Sequence, residues 1–365
     1  MSLLQVLWEL QIGGTSGDLA GCPVLAPLAG AQTWVTDWLS WRFIGITGSM
    51  ETERASPRYS DIDVWDPSDI LDAMIEGQFT AVAAVRSVRP AIERAARATE
   101  ARLKQGGRLI YAGAGTSGRL AVQDGAELMP TFSWPQDRLL LLMAGGKDAL
   151  LHSVEGAEDE TEQAVRLIRQ HNVAVSDVVI AVAASGTTPF TLACLREAKK
   201  NAALTIGIAN NQDTPLLQEA DHPIWLDTGS EPIAGSTRMK AGTAQRIALN
   251  LLSSLVMIML GRVYEGLMVD VQAVNKKLVR RSETMLQRLT GRNREDVRAA
   301  LRKADGSVKL AVLLLQGCNP DEATTLLDRA GGRLRTALAA IGRESALKNA
   351  PEIASPPMHD SLIDD

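Results

Sequence analysis

Between residues 109 and 226 the chain repeats one unit: a short unbroken apolar run, a loop, then a helix-patterned stretch. The runs are Leu109 to Ala112, Leu139 to Met143, Val178 to Ala183, Leu204 to Ile208 and Pro223 to Leu226. A strand with one face in water alternates apolar and polar residues. A strand apolar at every position is covered on both faces, which calls for parallel pairing with helices above and below. The sequence therefore predicts an α/β fold built on a five-stranded parallel sheet flanked by helices. In such sheets ligands sit beyond the carboxyl ends of the strands.

Helical patterning brackets this region. Asp66-Pro67-Ser68-Asp69 reads as a helix start, and a second helix is expected from about Pro90 to Lys104. A long helix is expected from near Ser236 to about Val263. After Asp270 the pattern is all-helical, with short helices at Asp296 to Ala304, Val308 to Gln316, Pro320 to Asp328 and Gly332 to Ile341. The expected organisation has four parts. Residues 50–290 form the α/β domain and 291–343 a small all-helical carboxyl-terminal domain. Residues 344–365 form a flexible tail. Residues 1–49 are an atypical extension, disordered or lying upstream of the true start near Met50. That extension holds four of the seven tryptophans and has little periodicity.

Bulk properties narrow the function classes. The net charge of −5 gives no attraction for nucleic acid, so none is expected as a partner. Cys22, Cys194 and Cys318 offer neither a disulfide framework nor metal-ligand spacing, and the four histidines are scattered. No metal and no cofactor are expected, and a reducing, cytoplasmic setting is. The most apolar run, Ile247 to Leu260, carries Asn250, Ser253 and Ser254 and falls short of the roughly 20 residues of a membrane span.

Two loops that follow strands and open helices carry the strongest chemical signal: Gly113 to Gly118 and Ala184 to Pro189. Helix amino termini present unpaired N–H groups and a positive dipole end, which suits a phosphate. Thr116, Ser117, Ser185 and Thr187 add hydroxyl donors. No Lys-Ser or Lys-Thr follows as in a nucleoside-triphosphate loop, and the first loop is not taken as a dinucleotide site. Either loop alone is an ordinary strand-to-helix turn; two in one sheet favour a phosphate ligand. Gly235-Ser236-Thr237-Arg238-Met239-Lys240 is a third such start, read either as a capped helix or as donors from Ser236 and Thr237 with Lys240 as a nearby cation. Glu127 and Glu158 are the candidate acid–base carboxylates. Spacing alone leaves each as readily a solvated helix residue.

The strings GRLIYAGAGTSGRLAVQDGAELMPTF, GAEDE, AVAASGTTPF, GSTRMKAGTAQRIALN and LMVDVQAVNKKL resemble the N-acetylmuramic acid 6-phosphate etherases of the sugar isomerase (SIS) superfamily. The resemblance runs from about Thr52 to about Ile341. It implies a lyase of amino-sugar metabolism and peptidoglycan recycling that cleaves a D-lactyl ether without a cofactor. It also implies a homodimer whose active site both subunits complete. It places Glu127 and Glu158 on the two functional glutamates, with Glu127 as acid and Glu158 as base. The hydroxyl residues of the three loops fall on the sugar-phosphate contacts. An aldose–ketose isomerase on the same fold and a non-catalytic sugar-phosphate sensor are the alternatives.

Overall fold

A computed structural model describes residues 50–271 and 276–348. The expected extension 1–49 lies outside the described residues, as does most of the expected tail.

The five apolar runs form one parallel sheet in the order β2-β1-β3-β4-β5. The strands are β1 (Leu109–Gly113), β2 (Leu139–Met143), β3 (Val178–Val182), β4 (Leu204–Ala209) and β5 (His222–Trp225). Every residue of β1, β3 and β4 is buried, as continuous apolar runs require. One face is covered by α1 (Pro67–Ser87), α2 (Arg89–Lys104), α3 (Gly115–Ala126) and the long α8 (Lys240–Met259). The other face is covered by α5 (Thr161–Gln170) and α6 (Pro189–Lys200). Short helices α4 (Leu128–Phe132) and α7 (Pro215–Glu219) complete the connections.

Asp177 pins β1 to β3 at their entry ends. Its carboxylate accepts the Arg108 backbone N–H at 3.0 Å, Arg108 Nη2 at 2.6 Å and the Ala174 N–H at 2.9 Å. Burial pushes this carboxyl up, but those donors outweigh it and hold the group below its ordinary range.

The strand order reverses direction between β1 and β3. That makes the carboxyl ends of these two neighbours the switch point of the sheet, where a crevice opens for ligands. Gly113 is level with Val182 across the pair, so the loops leaving both strands start side by side.

After α8 come a two-stranded antiparallel ribbon, β6 (Val263–Tyr264) with β7 (Leu267–Met268), and helices α9 (Lys276–Thr290), α10 (Arg294–Lys303), α11 (Val308–Leu315), α12 (Pro320–Arg329) and α13 (Leu334–Lys348). Asn319 and Glu322 form a reciprocal capping box that starts α12. These helices share a second core, which includes Val269, Val271, Met285 and Leu286. The helical unit thus begins upstream of 291, and α9 belongs to its core. Helix α13 continues past residue 343 to Lys348. Arg333 joins the two cores, donating to Glu100 of α2 and to the Met259 carbonyl of α8, both at 2.7 Å.

The long helix starts at Lys240 rather than near Ser236. Its 20 residues make it, among the described residues, the one helix long and apolar enough to cross a membrane by length and composition. Half of that stretch is buried inside the protein, where it packs against α1, α2 and α3.

Candidate active site

The first loop joins β1 to α3. Ala114 at the helix cap has no side chain that accepts a hydrogen bond, which leaves first-turn N–H groups open to a ligand. Thr116 and Ser117 lie in that turn, half-buried and buried. The glycines Gly113, Gly115 and Gly118 do stand at the Gly-x-Gly-x-x-Gly spacing of dinucleotide sites. Packing and backbone conformation account for them: a Cβ on Gly118 would lie 2.4 Å from Met143 Sδ and 2.7 Å from the carbonyl carbon of Gly113, one on Gly113 would lie 2.8 Å from Gly118 Cα, and Gly115 has a positive φ of 54°. The strand that follows ends in Met143-Ala144-Gly145-Gly146, with no carboxylate for a ribose.

The second loop joins β3 to α6. Ser185 Oγ accepts the Thr187 N–H at 3.2 Å and lies 3.2 Å from Thr188 Oγ1, so the hydroxyls cluster around the helix start.

The third segment converges on the first loop. Gly242 donates its N–H to the Thr237 carbonyl at 2.8 Å. A Cβ on Gly242 would stand 3.5 Å from Thr116 Cγ2. Ser236 and Thr237 precede the helix rather than cap it. The cap comes from Glu231, fully buried, which accepts the N–H groups of Lys240 at 3.0 Å and Ala241 at 2.8 Å. Burial pushes the Glu231 carboxyl up, against the pull of these two donors.

Lys240, the expected nearby cation, is buried at the start of α8. Its stem lies against α1, where a Cβ on Gly77 would be 3.1 Å from Lys240 Cδ. Burial draws its ammonium pKa down, with Glu231 opposing.

Two residues that local pattern did not reveal tie the loops together. Thr52 is fully buried; its carbonyl accepts the Gly235 N–H at 2.9 Å and its Oγ1 accepts Asn211 Nδ2 at 2.9 Å. Asn211 also donates to the Ala184 carbonyl at 2.9 Å, so β3's loop, β4's end and the 235–237 segment form one frame. Glu53, next along, lies against Gly235, where a Cβ would meet Glu53 Oε2 at 2.8 Å. Gly235 also needs its positive φ of 77°, so glycine fits on both counts.

Glu158 follows from a short helical turn, Ala157–Asp159, held by the buried Ala157. It lines a cavity of about 320 Å³ with Gly115, Arg119, Ser153 and Glu155. Glu127 is elsewhere: it caps the carboxyl end of the 12-residue α3. At about 1.5 Å per residue its backbone stands roughly 18 Å along the helix axis from the Gly115 end. Both glutamates are exposed in the single chain. One turn before Glu127, the buried Asp124 accepts the Tyr111 hydroxyl at 3.0 Å and lies 3.7 Å from Arg246 of α8. Burial pushes Asp124 up, with Tyr111 and Ser253 opposing, and burial also raises Tyr111 far above its usual range. This network fixes the Glu127 end of α3 beside α8.

A five-stranded parallel sheet with hydroxyl-bearing loops framed over its switch point defines an SIS-type α/β domain. A family model described as the glucokinase regulatory protein N-terminal SIS domain matches residues 91–215. Several relatives are more specific. A protein named N-acetylmuramic acid 6-phosphate etherase from Deinococcus radiodurans is 47% identical over 294 residues, covering 80% of this chain and 96% of that protein. Proteins of the same name from Streptomyces coelicolor (43% identical; 80% and 94% covered) and Yersinia pestis (42%; 80% and 99%) are similar to it too. The chain belongs to the N-acetylmuramic acid 6-phosphate etherase family.

Proposed function

We propose that this chain is a lyase that converts N-acetylmuramic acid 6-phosphate to N-acetylglucosamine 6-phosphate and D-lactate. The observation that carries the reading is the convergence of three hydroxyl-bearing loops on a crevice beside the cavity that Glu158 lines. The helix amino termini at Thr116–Ser117 and Ser185–Thr187, with Ser236 and Thr237, hold the phosphate and sugar hydroxyls.

The chemistry runs on the open-chain sugar. Its carbon-1 aldehyde acidifies the carbon-2 proton, which Glu158 removes. The electron pair forms the carbon-2–carbon-3 double bond as the carbon-3–oxygen bond breaks. Glu127 protonates the departing lactate oxygen. Water then adds its hydroxyl to carbon-3 and a proton returns to carbon-2. Oriented donors meet the enolate charge, so the residues present suffice without a cofactor.

A proton donor and acceptor must both come within about 3 Å of the atoms they serve. Glu127 and Glu158 stand too far apart in one chain, which supports a homodimer in which each crevice takes Glu158 from one protomer and Glu127 from its partner. The docking face is the apolar stripe Leu71, Ile75, Phe79 and Val82 of α1, with Leu251 and Ile258 of α8, all exposed in the single chain. A groove of about 720 Å³ runs between α1, α2 and α8 along this face. The setting is cytoplasmic, as suits a sugar-phosphate substrate and a chain poor in cysteine.

Deuterium exchange at carbon-2 separates the two roles. Glu127→Gln should still exchange the carbon-2 proton with solvent while releasing almost no lactate. Glu158→Gln should lose both. Normal lactate release by both variants would remove the chemical basis of the reading.

A further inference from the structure

Arg119 brings an unassigned positive charge into the cavity beside Glu158. It lies in the first turns of α3, and its Nε donates to the Ala149 carbonyl at 2.9 Å while Nη2 donates to the His152 carbonyl at 3.1 Å. These bonds hold the guanidinium against the loop that leads to Glu158. They use only part of the five-donor fork of an arginine. The cavity wall also carries Glu155 and Glu158, and among the described residues lining it Arg119 is the one cation.

An anionic ligand entering a pocket with two carboxylates needs its charge met there. The proposed substrate has two anionic groups, and the helix amino termini account for the phosphate. The other is the lactyl carboxylate, carried on the carbon-3 oxygen, one carbon from the proton that Glu158 takes. Whatever pose brings carbon-2 to Glu158 also brings the lactyl group into this cavity. We propose that Arg119 binds the lactyl carboxylate and so selects the ether over sugar 6-phosphates that lack it. The inference rests on the etherase reading above. The simpler role, a clamp on the 149–152 loop, makes a different prediction: it would affect every ligand of the crevice alike.

The test compares two ligands on the full chain. KM for N-acetylmuramic acid 6-phosphate is measured by lactate release, and the inhibition constant of N-acetylglucosamine 6-phosphate, which has no lactyl group, is measured in the same assay. Arg119→Met should raise the first about 10- to 100-fold, the loss expected for a charged hydrogen bond. It should leave the second nearly unchanged, and Arg119→Lys should recover part of the loss. Equal movement of both constants, or movement of neither, overturns the proposal. If the Met variant does not fold, the wild-type protein still decides: the lactamide analogue of the substrate should bind about 10- to 100-fold more weakly than the acid. Equal binding of acid and amide overturns the proposal. A wild-type chain that releases no lactate would instead sink the etherase reading, and would do so before any variant is made.

Discussion

The Glu231 carboxylate closes the amino terminus of α8, taking the Lys240 N–H at 3.0 Å. With Ala241 it satisfies two donors that would otherwise be buried without partners. Glu231→Ala should lower the unfolding free energy by about 1–3 kcal/mol, and Glu231→Gln, which keeps one acceptor, by less. Urea unfolding measures both. An Ala variant with an unchanged midpoint would show that the carboxylate adds nothing to stability.

The serine hydroxyls of the two strand-to-helix loops should be separable from folding. Ser117→Ala and Ser185→Ala are each expected to weaken N-acetylglucosamine 6-phosphate binding by about 1.5–3 kcal/mol, the value of a hydrogen bond to a charged group. Calorimetric titration reads this directly. Full affinity in both variants would place the phosphate elsewhere.

Sharing of the two glutamates between protomers has a genetic signature. Glu127→Gln and Glu158→Gln proteins, each nearly inactive, should regain activity when unfolded and refolded together. In a mixed dimer one crevice receives both substitutions and the other neither. Random pairing then restores about a quarter of wild-type activity. No recovery from a mixture that demonstrably exchanges subunits would mean that each chain supplies both groups to its own crevice.

Phe79 is the largest side chain of the exposed α1 stripe, 69% accessible in the single chain. Phe79→Glu puts a charge on the proposed docking face without touching the core. Sedimentation velocity should show monomers, with lactate release falling in parallel. A dimer that survives would move the interface to another surface.

Asp177 supplies a pH-dependent element remote from the crevice. Its carboxyl is held below the ordinary range, so its stabilisation is complete above the unfolded value of about 3.9 and is lost as pH falls through the lower folded value. Asp177→Asn should cost about 1.5–3 kcal/mol at neutral pH and flatten the loss of stability in acid. Unfolding curves between neutral pH and acid test it. Parallel curves for the two proteins would assign the acid sensitivity to other groups.

The sheet was legible in the sequence because its strands are buried on both faces, and unbroken apolar runs such as Val178 to Val182 have few other uses. The loops were legible for the same reason, lying where such runs stop. What escaped was non-local. Thr52 and Asn211 are 159 residues apart, and nothing near either one signals the bond. Glu231 caps α8 from nine residues upstream, so the Gly235-Ser236-Thr237 start looked like the cap when it is a loop. Residues 276–290 fell in the expected α/β domain because a helix's own sequence does not say against which core it packs, and the structure places α9 in the second. Glu127 and Glu158 stood out by resemblance; that they sit at remote points of one chain needed the fold.

Gly118 has one more consequence. With Met143 Sδ and the Gly113 backbone both inside 3 Å of any Cβ, helix and strand meet there too closely for a side chain. The first and third glycines of the spelling Gly-x-Gly-x-x-Gly therefore record how tightly α3 is pressed onto the sheet, and the second a left-handed turn, before any ligand is considered. A text search for nucleotide enzymes would retrieve this chain on the strength of its packing, and the discriminating letters lie a strand away, after Met143, where a ribose-binding acid is missing.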